Sequence, residues 1–134
     1  MKLKNEFSFD AAHRLVGYKG LCSNLHGHIW RVEIEVTGNK IDDVRMIWDF
    51  TNVKELKNMF DHKTILKECK ENDRILTALE TTCGVNSVYL MQENPTAENL
   101  CQEILEYLKN NNSPMLKFKV IVWESPKSSC EVSG

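Results

Sequence analysis

The sequence of 134 residues contains no apolar run longer than four, Val120–Trp123 being one of that length. A membrane-spanning helix needs roughly 18 or more consecutive apolar residues, so none is expected and the chain reads as soluble. Neither sign of charge is in excess: 17 Lys and Arg face 19 Asp and Glu, a formal net charge of −2. Such a balance sets up no overall field for phosphate backbones or anionic lipid, which excludes nucleic acid and membrane surfaces as default partners. The five cysteines (Cys22, Cys69, Cys83, Cys101, Cys130) are odd in number and include no C-x-x-C pair. Both facts argue against a disulfide framework and against a zinc site made of cysteine alone. The first ten residues, MKLKNEFSFD, lack the apolar stretch of a secretory signal, so a reducing cytoplasm is the expected compartment. Internal repeats, low-complexity tracts, linkers and like-charge blocks are also missing, which points to a single domain over residues 1–134. A chain of this size removes roughly two-thirds of its unfolded surface from water, enough for a core without covalent staples.

What the chain does contain is clear periodicity. Leu3, Phe7 and Phe9 share one parity while Lys2, Lys4, Glu6 and Ser8 share the other, the signature of a strand with one wet face, and His13 continues the apolar parity. Trp30, Val32, Ile34 and Val36 alternate with Arg31, Glu33, Glu35 and Thr37 in a second strand, with His28 on the apolar side. Met46 to Phe50 is a short strand candidate. Asn52 and Glu55 resemble a capping pair opening a helix that buries Val53, Leu56 and Phe60, with Asp61 and His62 just beyond it. Asp73 to Thr82 is expected to be a helix stopped by Gly84, and Ser87 to Met91 a strand. Pro95 and Thr96 introduce the strongest helix, in which Ala97, Leu100, Cys101, Ile104, Leu105 and Leu108 form one apolar stripe. Leu116, Phe118, Val120 and Val122 alternate with lysines in a final strand, and Glu124 falls on their parity. A carboxylate aimed toward a buried face is costly unless it meets a donor, so Glu124 is a candidate ligand-binding group; a strand ending at Trp123 would instead leave it solvated. The element order indicates an α+β fold built around an antiparallel sheet.

Chemistry concentrates near the N-terminus, where three of the four histidines, His13, His26 and His28, lie within the first 28 residues. H-x-H on a strand projects both imidazoles to one side, and His13 ends the preceding strand. Three imidazoles about 2.0–2.1 Å from a common point hold zinc and leave a fourth position open. Cys22, four residues before His26, either completes a closed Cys-His₃ site or stands beside the metal as a base or nucleophile, and spacing does not separate the two. The pair Asp61 and His62 suits proton transfer, because a carboxylate stabilises the protonated imidazole; the alternative is a plain polar helix terminus.

Taken together, FDAAHRL (9–15), CSNLHGH (22–28), WDF (48–50), FDH (60–62), NPTAEN (94–99) and Glu124 resemble, in order, the motifs of the 6-pyruvoyl-tetrahydropterin synthase family over nearly the whole chain. Among its members the bacterial 6-carboxytetrahydropterin synthases of queuosine and other 7-deazapurine biosynthesis are the most similar. The resemblance implies a tunnelling fold: a four-stranded antiparallel sheet with two helices on one face, whose protomers join edge to edge into a barrel, typically a homohexamer made of two trimers. It implies catalytic zinc on His13, His26 and His28, with Cys22 as general base and not a ligand. Asp61 and His62 would complete the proton relay from a neighbouring protomer, Glu124 would anchor a pterin through its 2-amino and ring N–H groups, and Thr96 would lie near that pocket. The implied substrate is 7,8-dihydroneopterin triphosphate, with loss of triphosphate and, in the 6-carboxy branch, of acetaldehyde. A 6-pyruvoyl product is the enzymatic alternative, and a non-catalytic zinc-stabilised pterin-binding module, with Cys22 as fourth ligand, the other. Arg14 and Lys19 are the basic residues nearest the metal motif for the triphosphate. Arg45, where the family commonly has Gly, and Ser125, where it often has Thr, depart from the pattern without removing a catalytic group.

Overall fold

Strand alternation and the apolar stripes of two helices, Asn52–Phe60 and Ala97–Asn110, build one apolar core. The computed structural model describes residues 1–134. In chain order the elements are β1 (Lys2–His13), β2 (His26–Thr37), α1 (Asn52–Phe60), β3 (Lys63–Lys67), α2 (Asp73–Cys83), β4 (Val88–Met91), α3 (Ala97–Asn110), β5 (Lys117–Ser125) and β6 (Ser128–Ser133). They form one six-stranded sheet in the order β4-β3-β1-β2-β5-β6. Strands β1, β2, β5 and β6 pair antiparallel, whereas β3 pairs parallel with both β1 and β4. The sheet is therefore mixed and six-stranded, not antiparallel and four-stranded, and it carries three α-helices where two were expected.

Phe9, Ala11 and His13 of β1, Trp30 to Val36 of β2 at alternate positions, and Phe118, Val120 and Val122 of β5 all point to one face and are buried. Helix α3 lays Leu100, Cys101, Ile104, Leu105 and Leu108 across β5 and β6, and α1 brings Leu56 and Phe60 against β1. Phe60 stacks on Phe9 with ring centroids 5.3 Å apart. Each such side chain stabilises the fold by about 1.5–3 kcal/mol through removal of apolar area from water. The opposite face is charged, with Lys2 and Lys4 both paired to Glu35.

Three local expectations are corrected. Met46 to Phe50 is not a strand: the Asp42 carboxylate accepts from the backbone N–H of Val44 and Met46, Arg45 turns with φ 70°, and Asp49 accepts from Thr51. Aspartate side chains that bond nearby N–H groups favour turns over ladders. Asn52 is the first residue of α1 and does not cap it; Thr51 stands at the cap position without a side-chain bond. Finally, β6 was not anticipated, because Ser128–Ser133 reads SSCEVS and only Cys130 and Val132 turn inward. Helix α2 and its stop at Gly84, φ 91°, match the expected bounds to within one residue.

Candidate metal centre and active-site pocket

Strand pairing brings the histidines together. His13 is directly opposite His26, and His28 lies opposite Ala11, so the last turn of side chains on β1 and the first on β2 share one face. The ring centroids of His13, His26 and His28 are 4.5–5.1 Å apart, with Trp30 beneath His13 and His28 in edge-to-face contact. One ring nitrogen from each lies within 4.8 Å of the other two.

Hydrogen bonding assigns the tautomers. Nδ1 of His13 is 2.7 Å from the carbonyl oxygen of Pro95, and Nδ1 of His26 is 2.7 Å from that of Asn24. A carbonyl only accepts, so each Nδ1 carries the proton and each Nε2 presents a lone pair. Those two Nε2 atoms are 3.0 Å apart. The Nε2 of His28 is buried with no hydrogen-bond partner. Two lone pairs face to face beside an orphaned third nitrogen are unfavourable unless a cation sits among them, so the donor set fits a divalent metal that takes neutral imidazole. Burial holds both His13 and His28 below the ordinary imidazole value; the Pro95 carbonyl opposes this at His13 and the Glu124 carboxylate at His28. The neutral, ligating form is the favoured one.

Cys22 sits in a short 3-10 turn, Leu21–Ser23, and its sulfur is outside the cluster of mutually close ligand atoms. It lines a cavity of about 310 Å³ together with His13, Tyr18, Thr96, Glu124 and Cys130. Glu124 arrives by a local irregularity: the β5–β6 register shifts between Trp123 and Ser125, which re-aims the intervening side chain. Its Oε1 lies 3.9 Å from Nε2 of His28. Thr96 caps α3, its hydroxyl accepting from the N–H of Asn99 at 3.2 Å.

Asp61 and His62 are placed elsewhere. His62 borders a second cavity, lined also by Asp10, His28 and Ile29, while Asp61 lies close to Asp10 and His62. Nδ1 of His62 is 3.1 Å from Oδ1 of Asp61, which also accepts from the N–H of Asp10 at 3.0 Å. That N–H, more than His62, holds the Asp61 carboxyl below its ordinary value. His62 adopts φ 59°, a left-handed conformation uncommon for a non-glycine residue, while its own N–H donates to Asp10 at 2.7 Å. Within one chain, then, the structure clusters the three histidines, gathers His13, Cys22, Thr96 and Glu124 around one cavity, and places His62 on a second cavity that His28 also lines.

Two contributors were not legible as such. The amide of Asn94 clamps Val16 at both backbone groups, 2.8 and 2.9 Å, and the neighbouring Pro95 carbonyl orients His13, so the NPT turn positions both the Cys22 loop and one imidazole of the cluster. Arg14 donates to Ser23, Asn72 and Glu71, which makes it a brace for this loop and leaves it a poor candidate for holding a triphosphate.

Comparison with known proteins identifies the family. A sequence model described as 6-pyruvoyl tetrahydropterin synthase matches residues 2–134. The chain is 36% identical over 121 residues to 6-carboxy-5,6,7,8-tetrahydropterin synthase of Rickettsia felis, covering 87% of this chain and 83% of that protein. It is 31% identical over 140 residues to the protein of the same name from Haemophilus influenzae, covering 97% and 96%. Among solved structures, an uncharacterized protein of Wolinella succinogenes superposes with a TM-score of 0.78 at 20% identity, covering 98% of this chain and 97% of that one. The 6-pyruvoyltetrahydropterin synthase of Plasmodium vivax gives 0.71 at 21% identity, covering 100% and 97%, a likeness of fold. On these grounds the chain belongs to the 6-pyruvoyl tetrahydropterin synthase family.

Proposed function

We propose that this enzyme is a zinc-dependent lyase converting 7,8-dihydroneopterin triphosphate to 6-carboxy-5,6,7,8-tetrahydropterin, with release of triphosphate and acetaldehyde, in cytoplasmic 7-deazapurine (queuosine) biosynthesis. The observation that carries the reading is the convergence of three imidazoles, those of His13 and His26 with lone pairs fixed by the Pro95 and Asn24 carbonyls, beside a cavity lined by Cys22 and Glu124. The names of the curated relatives support the choice of product.

His13, His26 and His28 hold the metal. When bound, zinc supplies Lewis acidity toward the hydroxyls of the substrate side chain and so acidifies the adjacent C–H bonds. Glu124 accepts hydrogen bonds from the 2-amino and ring N–H groups of the pterin, and Thr96 lies near that edge. Cys22 takes the proton from the side-chain carbon, with its sulfur free because it is not a ligand. His62, oriented by Asp61, supplies or accepts the second proton. General acid–base steps of this kind contribute roughly 10²–10⁴-fold each. His62 lines a cavity other than that of Cys22 in its own chain, which supports the Asp61–His62 pair serving the site of a neighbouring protomer, in a homohexamer of two trimers whose protomers join edge to edge into a barrel. Mass spectrometry of the product with a coupled acetaldehyde assay tests the reading: 6-carboxytetrahydropterin with stoichiometric acetaldehyde supports it, and a 6-pyruvoyl product without acetaldehyde replaces it.

A further inference from the structure

Tyr18 stands on the loop between the first metal-binding position and Cys22, and that loop is closed on itself. The N–H of Leu15 donates to the carbonyl of Cys22 at 2.9 Å, Asn94 holds both backbone groups of Val16, and Gly17 turns the chain with φ +80°. The ring of Tyr18 rests against Gly20: a Cβ at position 20 would lie 2.7 Å from Cε1 and 3.4 Å from Cζ of that ring. Gly20 itself is extended, with φ 172°, a conformation any residue adopts. Glycine is therefore suited to this position by the space the ring occupies and not by its torsion angles.

The burial of Tyr18 does not explain this seat, since the side chain stays 53% exposed. What it does is line the cavity that also holds His13, Cys22, Thr96 and Glu124. A carboxylate such as Glu124 reads the polar edge of a flat heterocycle in its plane and leaves both π faces without a partner. An aromatic ring held at the wall of the same cavity supplies a face, and ring-on-ring stacking is tolerant of substituents while excluding water.

We propose that Tyr18 is a ligand-binding residue that stacks on the planar ring of the bound bicyclic heterocycle, and that Gly20 is the seat that keeps it in that pose. This rests on the pterin reading of the Glu124 pocket. It predicts that affinity can be lowered without touching any polar group in the site, either by removing the ring or by filling its seat.

The test uses the zinc-loaded protein and neopterin as the probe, titrated by calorimetry, with KM and kcat for 7,8-dihydroneopterin triphosphate measured alongside. Tyr18→Ala should weaken neopterin binding roughly 10-fold and raise KM with little change in kcat, whereas Tyr18→Phe stays within about twofold, because a phenyl face stacks as a phenol face does. Gly20→Ala, which leaves the tyrosine in place but displaces it, should shift affinity in the same direction as Tyr18→Ala, with zinc content unchanged in all three. Wild-type affinity in both Tyr18→Ala and Gly20→Ala overturns the proposal, and so does a loss in Tyr18→Phe equal to that in Tyr18→Ala. If Gly20→Ala does not fold, the Tyr18 pair decides alone. Absence of neopterin binding by the wild-type protein overturns the pterin reading and this inference with it, and is distinguishable from the first result, in which wild type and variants bind alike.

Discussion

Nε2 of His13 and Nε2 of His26 face each other at 3.0 Å, and each ring has its Nδ1 proton committed to a backbone carbonyl. Backbone groups thus fix both tautomers before any ligand arrives, a form of orientation that metal-binding histidines commonly need. Replacing His13, His26 or His28 by Ala should each lower bound zinc well below one equivalent per chain, read by elemental analysis after gel filtration. Full retention in any of the three removes that residue from the site.

Metal removal should also be visible as stability. A ligand that binds only the folded chain at about 100 times its Kd stabilises by about 2.7 kcal/mol. Stripping zinc with a chelator should lower Tm, and adding it back should restore the original value; an unchanged Tm contradicts tight binding to the folded state.

Asn94 is the residue through which the turn before α3 reaches the Cys22 loop. Asn94→Ala removes two bonds to Val16 and leaves backbone groups there unpaired, at a cost of about 1–3 kcal/mol. Turnover should fall more than zinc content does, because the loop bearing Cys22 loosens while the strand-borne histidines remain. Denaturant melts paired with metal analysis measure both.

How much of this was legible in the sequence follows from where the signals were local. Parity in Leu3–Phe9, Trp30–Val36 and Phe118–Val122 identified β1, β2 and β5, and the stripe from Leu100 to Leu108 identified α3, because one buried face imposes a period on each. The convergence of the three histidines followed from H-x-H on a strand beside a strand ending in His13. Two edge or short strands did not announce themselves: β6 is nearly all polar, and Lys63–Lys67 is only five residues long, too short for alternation to show. Residues 46–50 look like a strand until the Asp42 carboxylate is seen bonding two N–H groups across the turn. Asn94 and Pro95 act on partners 78 and 82 residues away, and Arg14 joins Ser23 nearby to Asn72, 58 residues on, so none of the three roles has a local signature.

Acid should weaken the charged face of the sheet in a defined window. Hydrogen bonds from Lys4 and Lys2 hold the Glu35 carboxyl at about 2, against an ordinary value of 4.5. A carboxyl depressed on folding contributes stability that is fully present above 4.5 and is lost as pH falls toward 2. Glu35→Gln should flatten the decline of Tm within that window, and a decline identical to that of the parent assigns acid lability to other groups.

Cys101 should be the inert thiol. Buried beneath β5 and β6, with its sulfur 3.1 Å from the Cys130 carbonyl oxygen, it is pushed up to about 12, chiefly by burial. Nucleophilic attack requires the thiolate, so at about pH 8 iodoacetamide should label Cys101 only after denaturation. Early labelling in the folded protein, mapped by peptide mass, contradicts the packing described for α3.

The central claim is that Cys22 acts beside a metal held by His13, His26 and His28 and is not one of its ligands. One variant tests it directly: Cys22→Ala, assayed for zinc content and for turnover of 7,8-dihydroneopterin triphosphate in the same preparation. The account predicts one zinc per chain with activity reduced at least roughly 100-fold, the scale of a lost general base. Loss of zinc from this variant, or turnover equal to the parent, contradicts it.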